Sequence, residues 1–213
     1  MMDFAHIEMG YAIEEKGTTP PLASQIHSAQ IVTVDSLKEY RGLREWPMEG
    51  DAVVTHAFDL PIYVYSADCI PVLFYTKEPD GPIAAVHSGW RGTLKGIVPK
   101  TLEALDPEKW EVHAWVGPCI RSCHFEVKED FINTFTAANI EILPFIEERE
   151  GSLFCHLEKL VLKQLSSLPP ERIHTSDLRC TYCTSPQLPS FRRDGSTQRQ
   201  IRSWIRKQKL FVQ

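Results

Sequence analysis

Residues 61–88 read PIYVYSADCIPVLFYTKEPDGPIAAVHS, three short apolar runs punctuated by Asp, Gly and Pro. The runs PIYVYS (61–66), IPVLFYT (70–76) and PIAAVHS (82–88) are rich in β-branched and aromatic residues and short for helices. They are expected to be strands. Working outward, QIVTVDS (30–36) and DAVVT (51–55) add two more such runs, and WEVHAWVG (110–117) alternates like a half-buried strand. Before them, the stretch up to KGTTPPLAS (16–24) is polar and expected to be loop-rich, with Pro20 and Pro21 stopping any regular element.

The remaining segments have helical spacing. RGTLKGIVPKTLEAL (91–105) places Leu94, Ile97, Val98, Leu102 and Leu105 on one face, with Pro99 expected to kink it or to occupy a first turn. EDFINTFTAANI (129–140) carries acids in its first turn. GSLFCHLEKLVLKQLSSL (151–168) has the clearest apolar stripe and is expected to be one helix, with Cys155 packed and His156 on its surface. RQIRSWIRKQKL (199–210) is expected to be a basic helix with Ile201, Trp204 and Ile205 as its core face. Strands gathered first and helices distributed later point to an α+β fold of mixed β-sheets flanked by helices. No repeat, low-complexity segment or linker divides the chain, so one domain over residues 1–213 is expected.

Composition narrows the function. The 213 residues are 43% hydrophobic and 24% charged with a net charge of -5, the profile of a soluble globular chain. That balance gives no basic face for nucleic acid. No apolar run approaches the ~20 residues that cross a bilayer, and MMDFAHIEMGYAIEE lacks the basic and apolar regions of a secretory signal. A cytoplasmic location and no membrane partner are expected. Six cysteines in such a chain read as reduced thiols or ligands rather than a disulfide framework.

Three residues sit at the ends of strand-like runs beside turn residues: His27 in SQIHSAQ, Cys69 in SADCIPV and His87 in AAVHSGWRG. Two imidazoles and a thiolate make a three-donor set for zinc that leaves a fourth position open. The same set suits a copper centre with a weak axial Met, but Met1, Met2, Met9 and Met48 all lie outside these motifs. A metal-free Cys69 nucleophile with His87 as base needs the same residues. Against all three stands the plain alternative of a core thiol and loop histidines. Arg91 opens a helix beside Gly89 and Gly92, and Arg192, Arg193 and Arg199 cluster near a turn; either group suits an anion, and either also reads as an ordinary turn or solvated loop. Cys119, Cys123, Cys180 and Cys183 admit a four-thiolate structural zinc site, although only the second pair has the usual two-residue gap. His56, His113 and His174 show no partner pattern.

Taken in order, QIHS (25–28), GDAVVT (50–55), SADCIPVLF (66–74), AAVHSGWRGTLKGIV (84–98), VGPCIRSCHFEV (116–127) and SFRRDGSTQRQI (190–201) resemble the YfiH-like family, also called the laccase-domain or polyphenol-oxidase family. The resemblance runs from about residue 25 to about residue 204. It implies a single α+β domain of cysteine-hydrolase-type fold and a zinc-type site whose ligands match His27, Cys69 and His87. It further implies small-molecule substrates: purine nucleosides, with phosphorolysis to base and ribose-1-phosphate, and adenosine deamination. Older labelling of the family implies copper and phenol oxidation, and a relation to cysteine hydrolases and amidases is also implied. A non-catalytic, zinc-stabilised binding module is the alternative of another class. In the expected enzyme, Asp68 handles a proton or supports a ligand, while Arg91 and Arg192 hold phosphate. This sequence has Ser28 where the family favours Gly, His124 where it favours Cys, Phe125 where it favours Tyr and Gln198 where it favours Gly.

Overall fold

The computed structural model describes residues 5–175, 177–184 and 187–209. Its centre is a six-stranded sheet in the order Ile173–His174, Val112–Val116, Ile70–Thr76, Ile83–Ser88, Ala52–Thr55, Ile31–Thr33. The two outermost pairings are parallel and the three inner ones antiparallel. Every residue of Ile70–Thr76, Ile83–Ser88 and Val112–Val116 is buried. A strand covered on both faces has no solvent side to mark with polar residues, which is why these runs read as continuous apolar stretches.

Alternate residues of the sheet feed two cores. Val72, Phe74, Ala84, Val86 and Ala114 face Ile97, Leu102, Phe135, Leu160 and Val161 of the helices. Leu73, Tyr75, Ile83, Ala85 and Trp115 face Ile62, Val64 and Ile205 of a second, three-stranded antiparallel sheet. That sheet orders Ile7–Glu15, Arg199–Lys207 and Ile62–Ser66. The layers are therefore sheet, sheet and helices, an α+β architecture with several sheets, as the sequence led us to expect. A small hairpin-based sheet (Glu126–Val127, Ser152–Cys155, Ile146–Arg149) and a two-stranded parallel ladder (Ala23–Ser24, Met48–Glu49) complete it. Among the described residues no helix is long and apolar enough to cross a membrane.

Three local expectations are corrected. Arg199–Lys207 is a strand, not a basic helix. Ile201, Ser203, Ile205 and Lys207 are fully buried and alternate with more exposed neighbours, the period of two that a strand imposes. Ile201, Trp204 and Ile205 also satisfy a helical spacing, and the buried polar Ser203 hides the alternation. Its outward cations are absorbed by the neighbouring strand, Arg202 by Glu14 at 2.7 Å and Arg206 by Glu8 at 2.5 Å. That neighbour, Ile7–Glu15, lies where a loop-rich stretch was expected. Finally, residues 151–168 are a strand and then a helix: Gly151, at φ +77°, turns the chain into Ser152–Cys155, and the helix runs only from Leu157 to Gln164. Cys155 is buried at the strand's end, and His156 caps the helix between Glu147 and Glu158.

The 91–105 segment also divides, into Trp90–Leu94 and Ile97–Ala104. Gly96, at φ +74°, makes the break, and Pro99 falls in the first turn of the second helix, where its missing N–H costs nothing. A further helix, Leu37–Glu45, starts at Ser36, whose side chain accepts from the Glu39 amide while Glu39 accepts from the Asp35 amide.

Candidate active site

Strand direction explains how distant residues meet. Ile83–Ser88 runs antiparallel to both Ile70–Thr76 and Ala52–Thr55. Its C-terminal end therefore lies at their N-terminal ends, bringing His87 beside Cys69 and Asp51. Ile31–Thr33 is parallel to Ala52–Thr55, so the loop that enters it delivers His27 to the same edge. His27 Nε2 lies 3.8 Å from Cys69 Sγ, and the His27 and His87 rings sit edge to face with centroids 5.0 Å apart. One donor atom from each of His27, Cys69 and His87 falls within 4.8 Å of the others, a group able to hold a metal ion. A tetrahedral zinc site separates its sulfur and nitrogen donors by about 3.6 Å, from bond lengths near 2.3 and 2.0–2.1 Å. The donor set fits zinc on that measure. No Met lines the surrounding cavity, so the axial thioether of a blue-copper centre has no candidate there among the described residues.

Gly89 makes the convergence possible. A Cβ at this position would stand 2.8 Å from Cys69 Sγ and 2.8 Å from His27 Cδ2, closer than real side chains approach. The chain thus passes the donor group at a distance only glycine allows.

The carboxylate that organises the group is Asp51, which sequence reasoning did not single out. It is fully buried. Its Oδ1 accepts from His87 Nδ1 at 2.9 Å and from the His27 amide at 3.0 Å. Its Oδ2 accepts from the Ser28 amide at 2.6 Å, the Ser28 hydroxyl at 2.7 Å and the Ile26 amide at 3.3 Å. Five donors on one carboxylate hold the His27 loop and fix the His87 tautomer, so that His87 presents Nε2 to the site. The only hint in the sequence was an acid directly before an all-apolar strand, DAVVT.

Electrostatics follow from this arrangement. Burial alone would push the Cys69 thiol up, but the His87 charge and hydrogen bonds from both imidazoles bring it down to about 6. Burial opposes the charged form of His87 as well, and the Cys69 thiolate together with the Asp51 hydrogen bond overrides it, raising His87 to about 9. For Asp51, burial again acts upward, and the hydrogen bonds from His87 and Ser28 carry the carboxyl down to about 2.

Asp68 faces a different set of partners. One carboxylate oxygen accepts from Thr181 Oγ1 at 2.6 Å, the other from the Arg192 amide at 2.7 Å, and its carbonyl accepts from the Ile120 amide at 2.9 Å. Its φ of +93° is unusual for a residue with a side chain and costs on the order of 1–3 kcal/mol. These three bonds hold that conformation and aim the next residue, Cys69. His27, at φ 57°, is the milder left-handed case, tied by Asp51 and by Lys95 Nζ, which donates to its carbonyl at 3.1 Å.

The group opens into a cavity of about 810 Å³, within the ~300–1,000 Å³ span of small-molecule sites. Tyr65, Trp90, Phe125 and Phe191 supply aromatic lining, and Arg91 and Arg192 bring two guanidiniums to it. Arg91 lies over the Trp90 ring, its Cζ 4.2 Å from the centroid, and Arg192 Nη1 donates to the carbonyls of His124 and Glu126. Gln25 locks one wall by exchanging two hydrogen bonds with the Tyr65 backbone, at 2.7 and 2.8 Å.

Known proteins are similar to this chain in sequence and architecture. A purine nucleoside phosphorylase of Aquifex aeolicus is 39% identical over 160 residues, 75% of this chain and 72% of that protein. One from Clostridium acetobutylicum is 34% identical over 186 residues, 85% of this chain and 74% of that protein. The crystal structure of Neisseria meningitidis protein NMB0706 superposes with a TM-score of 0.74 at 28% identity, covering 88% of this chain and 74% of that one. Residues 12–206 match the family described as multi-copper polyphenol oxidoreductase laccase, and with these relatives the match establishes that the chain belongs to that YfiH-like family.

Proposed function

We propose that this chain is a zinc-dependent purine nucleoside phosphorylase, with His27, Cys69 and His87 as metal ligands and Arg91 and Arg192 as phosphate-binding residues. The carrying observation is the convergence of two imidazoles and a thiolate around Gly89 in a cavity that two guanidiniums also line. The names of the relatives support the substrate class. Zinc at these ligands supplies Lewis acidity.

The chain's own groups do the remaining work. Asp51 holds the proton on His87 Nδ1 and turns Nε2 toward the site. The aromatic side chains offer flat faces to a purine. In phosphorolysis the C1′–N9 bond breaks with its electron pair leaving on the purine, while a phosphate oxygen forms the new C1′–O bond. The two guanidiniums orient the phosphate and offset its charge against the developing bond. Asp68 supports the reaction by position, fixing the Cys69 backbone. Adenosine deamination at the same ligands belongs to this reading as a second activity, and a cytoplasmic location suits its soluble nucleoside substrates.

The test uses purified protein of defined metal content with inosine or adenosine and phosphate, following free base, ribose-1-phosphate and inosine. We expect base and ribose-1-phosphate in equal amounts, dependent on phosphate, with Cys69→Ala inactive and Arg192→Ala raised in KM for phosphate. Full activity in Cys69→Ala refutes the mechanism. A metal-free Cys69 hydrolase would instead retain activity after exhaustive chelation.

A further inference from the structure

A second group of donors lies outside the cavity just described. Cys123, His124, Cys180 and Cys183 each place one donor atom within 4.8 Å of the other three. Cys123 Sγ is 3.4 Å from Cys180 Sγ and 3.7 Å from Cys183 Sγ. Two thiolates on one tetrahedral zinc stand about 3.8 Å apart, from a Zn–S bond near 2.3 Å. The four-cysteine set read from the sequence does not form. Cys119 is buried in the helix-side core, and His124 takes its place.

One feature of the group itself points to a ligand. His124 Nδ1 is buried and has no hydrogen-bond partner among the described residues, although its ring is fixed by stacking on Tyr182 at 3.9 Å. A buried imidazole nitrogen without a described partner, on a residue grouped with three thiols, is a donor open to an ion. Four guanidiniums brace the two segments that supply the ligands. Arg121 donates to Leu178 O, Arg149 to Ser122 O, Arg192 to His124 O, and Arg193 to both Thr181 O and Tyr182 O.

We propose that Cys123, His124, Cys180 and Cys183 form a structural zinc site, distinct from the His27–Cys69–His87 group, that clamps residues 119–125 to residues 178–184. The clamp has a purpose at the first site. Asp68 hangs from both segments, through Ile120 on one and Thr181 on the other, so fixing their separation fixes the strained residue that aims Cys69. Backbone bonds alone tie them more lightly: the Cys119 amide donates to Arg179 O and the Thr181 amide to Cys119 O.

The experiment measures metal content and a spectrum, so it does not depend on the proposed activity. Full-length protein without a histidine tag is expected to hold two zinc equivalents, Cys69→Ala one, Cys183→Ser one and the double variant none. In cobalt-exchanged Cys69→Ala protein, thiolate-to-metal charge-transfer and intense tetrahedral bands should persist, and they should vanish when Cys183→Ser is added. His124→Cys should keep the second equivalent, which guards against a variant that merely fails to fold. Chelation should lower the unfolding temperature of Cys69→Ala but not that of the double variant. A second equivalent retained in Cys183→Ser overturns the proposal, as does a wild-type protein whose single zinc is lost in Cys69→Ala. A disulfide between Cys123 and Cys180 in protein prepared under reducing conditions overturns it too.

Discussion

Asp51→Asn is the sharpest probe of the first site, because it preserves shape and removes one acceptor. An asparagine has a single oxygen for the five donors that Asp51 serves. If its amide nitrogen faces Ser28 and Ile26, two backbone N–H groups lose their acceptor. If it faces His87 instead, the imidazole must take the other tautomer, and the proton then sits on Nε2, where a metal ligand needs a lone pair. Either orientation is costly. A buried donor left without its partner costs about 1–3 kcal/mol, and loss of an orienting partner typically lowers metal affinity about 10–100-fold. For a chain of this size ~2 kcal/mol corresponds to a fall of roughly 4–8 °C in unfolding temperature. The assay titrates apo-protein with zinc against a chromophoric chelator and records thermal unfolding of apo and loaded forms. We expect weaker zinc binding at this site and a lower unfolding temperature in both forms. A folded Asp51→Asn protein that binds zinc within about twofold of wild type would refute the reasoning.

Two further predictions test close packing and buried charge. Gly89→Ala pushes a methyl into Cys69 Sγ and the His27 ring, so zinc at the first site should be lost while the far-ultraviolet circular dichroism is unchanged; a variant with full zinc content would contradict the contact. Lys207 is buried with Nζ donating to Gly81 O at 2.8 Å, and burial pulls its pKa below 10.5. The unfolded chain then binds more protons between the lowered value and 10.5, so wild-type stability gains a component as pH rises through that window. In Lys207→Met the component is absent, and the wild-type-minus-variant difference in unfolding free energy should grow as pH rises toward 10.5. A flat or shrinking difference, read by urea denaturation, would overturn the assignment.

The sequence by itself marked five of the six central strands and singled out His27, Cys69 and His87 as candidates. Ile70–Thr76 and Ile83–Ser88 are buried on both faces, so composition alone marks them as strands, and turn residues at their ends mark Cys69 and His87 as exceptions. The helix at Leu37–Glu45 was not expected, because its face is only weakly apolar; the Ser36 and Glu39 capping pair is its local mark. Tertiary structure decided what local pattern could not. Arg199–Lys207 fits a helix as well as a strand until its neighbours are known; two flanking strands supply hydrogen bonds and Glu8 and Glu14, and the strand wins. Asp51 is one acid among many until antiparallel pairing sets it against His87. The second donor group took His124 rather than Cys119 because backbone pairing with Cys180 buries Cys119 in the core. Periodicity reports which face of an element is apolar; which residues meet is settled by strand direction and register, and those are properties of the whole chain.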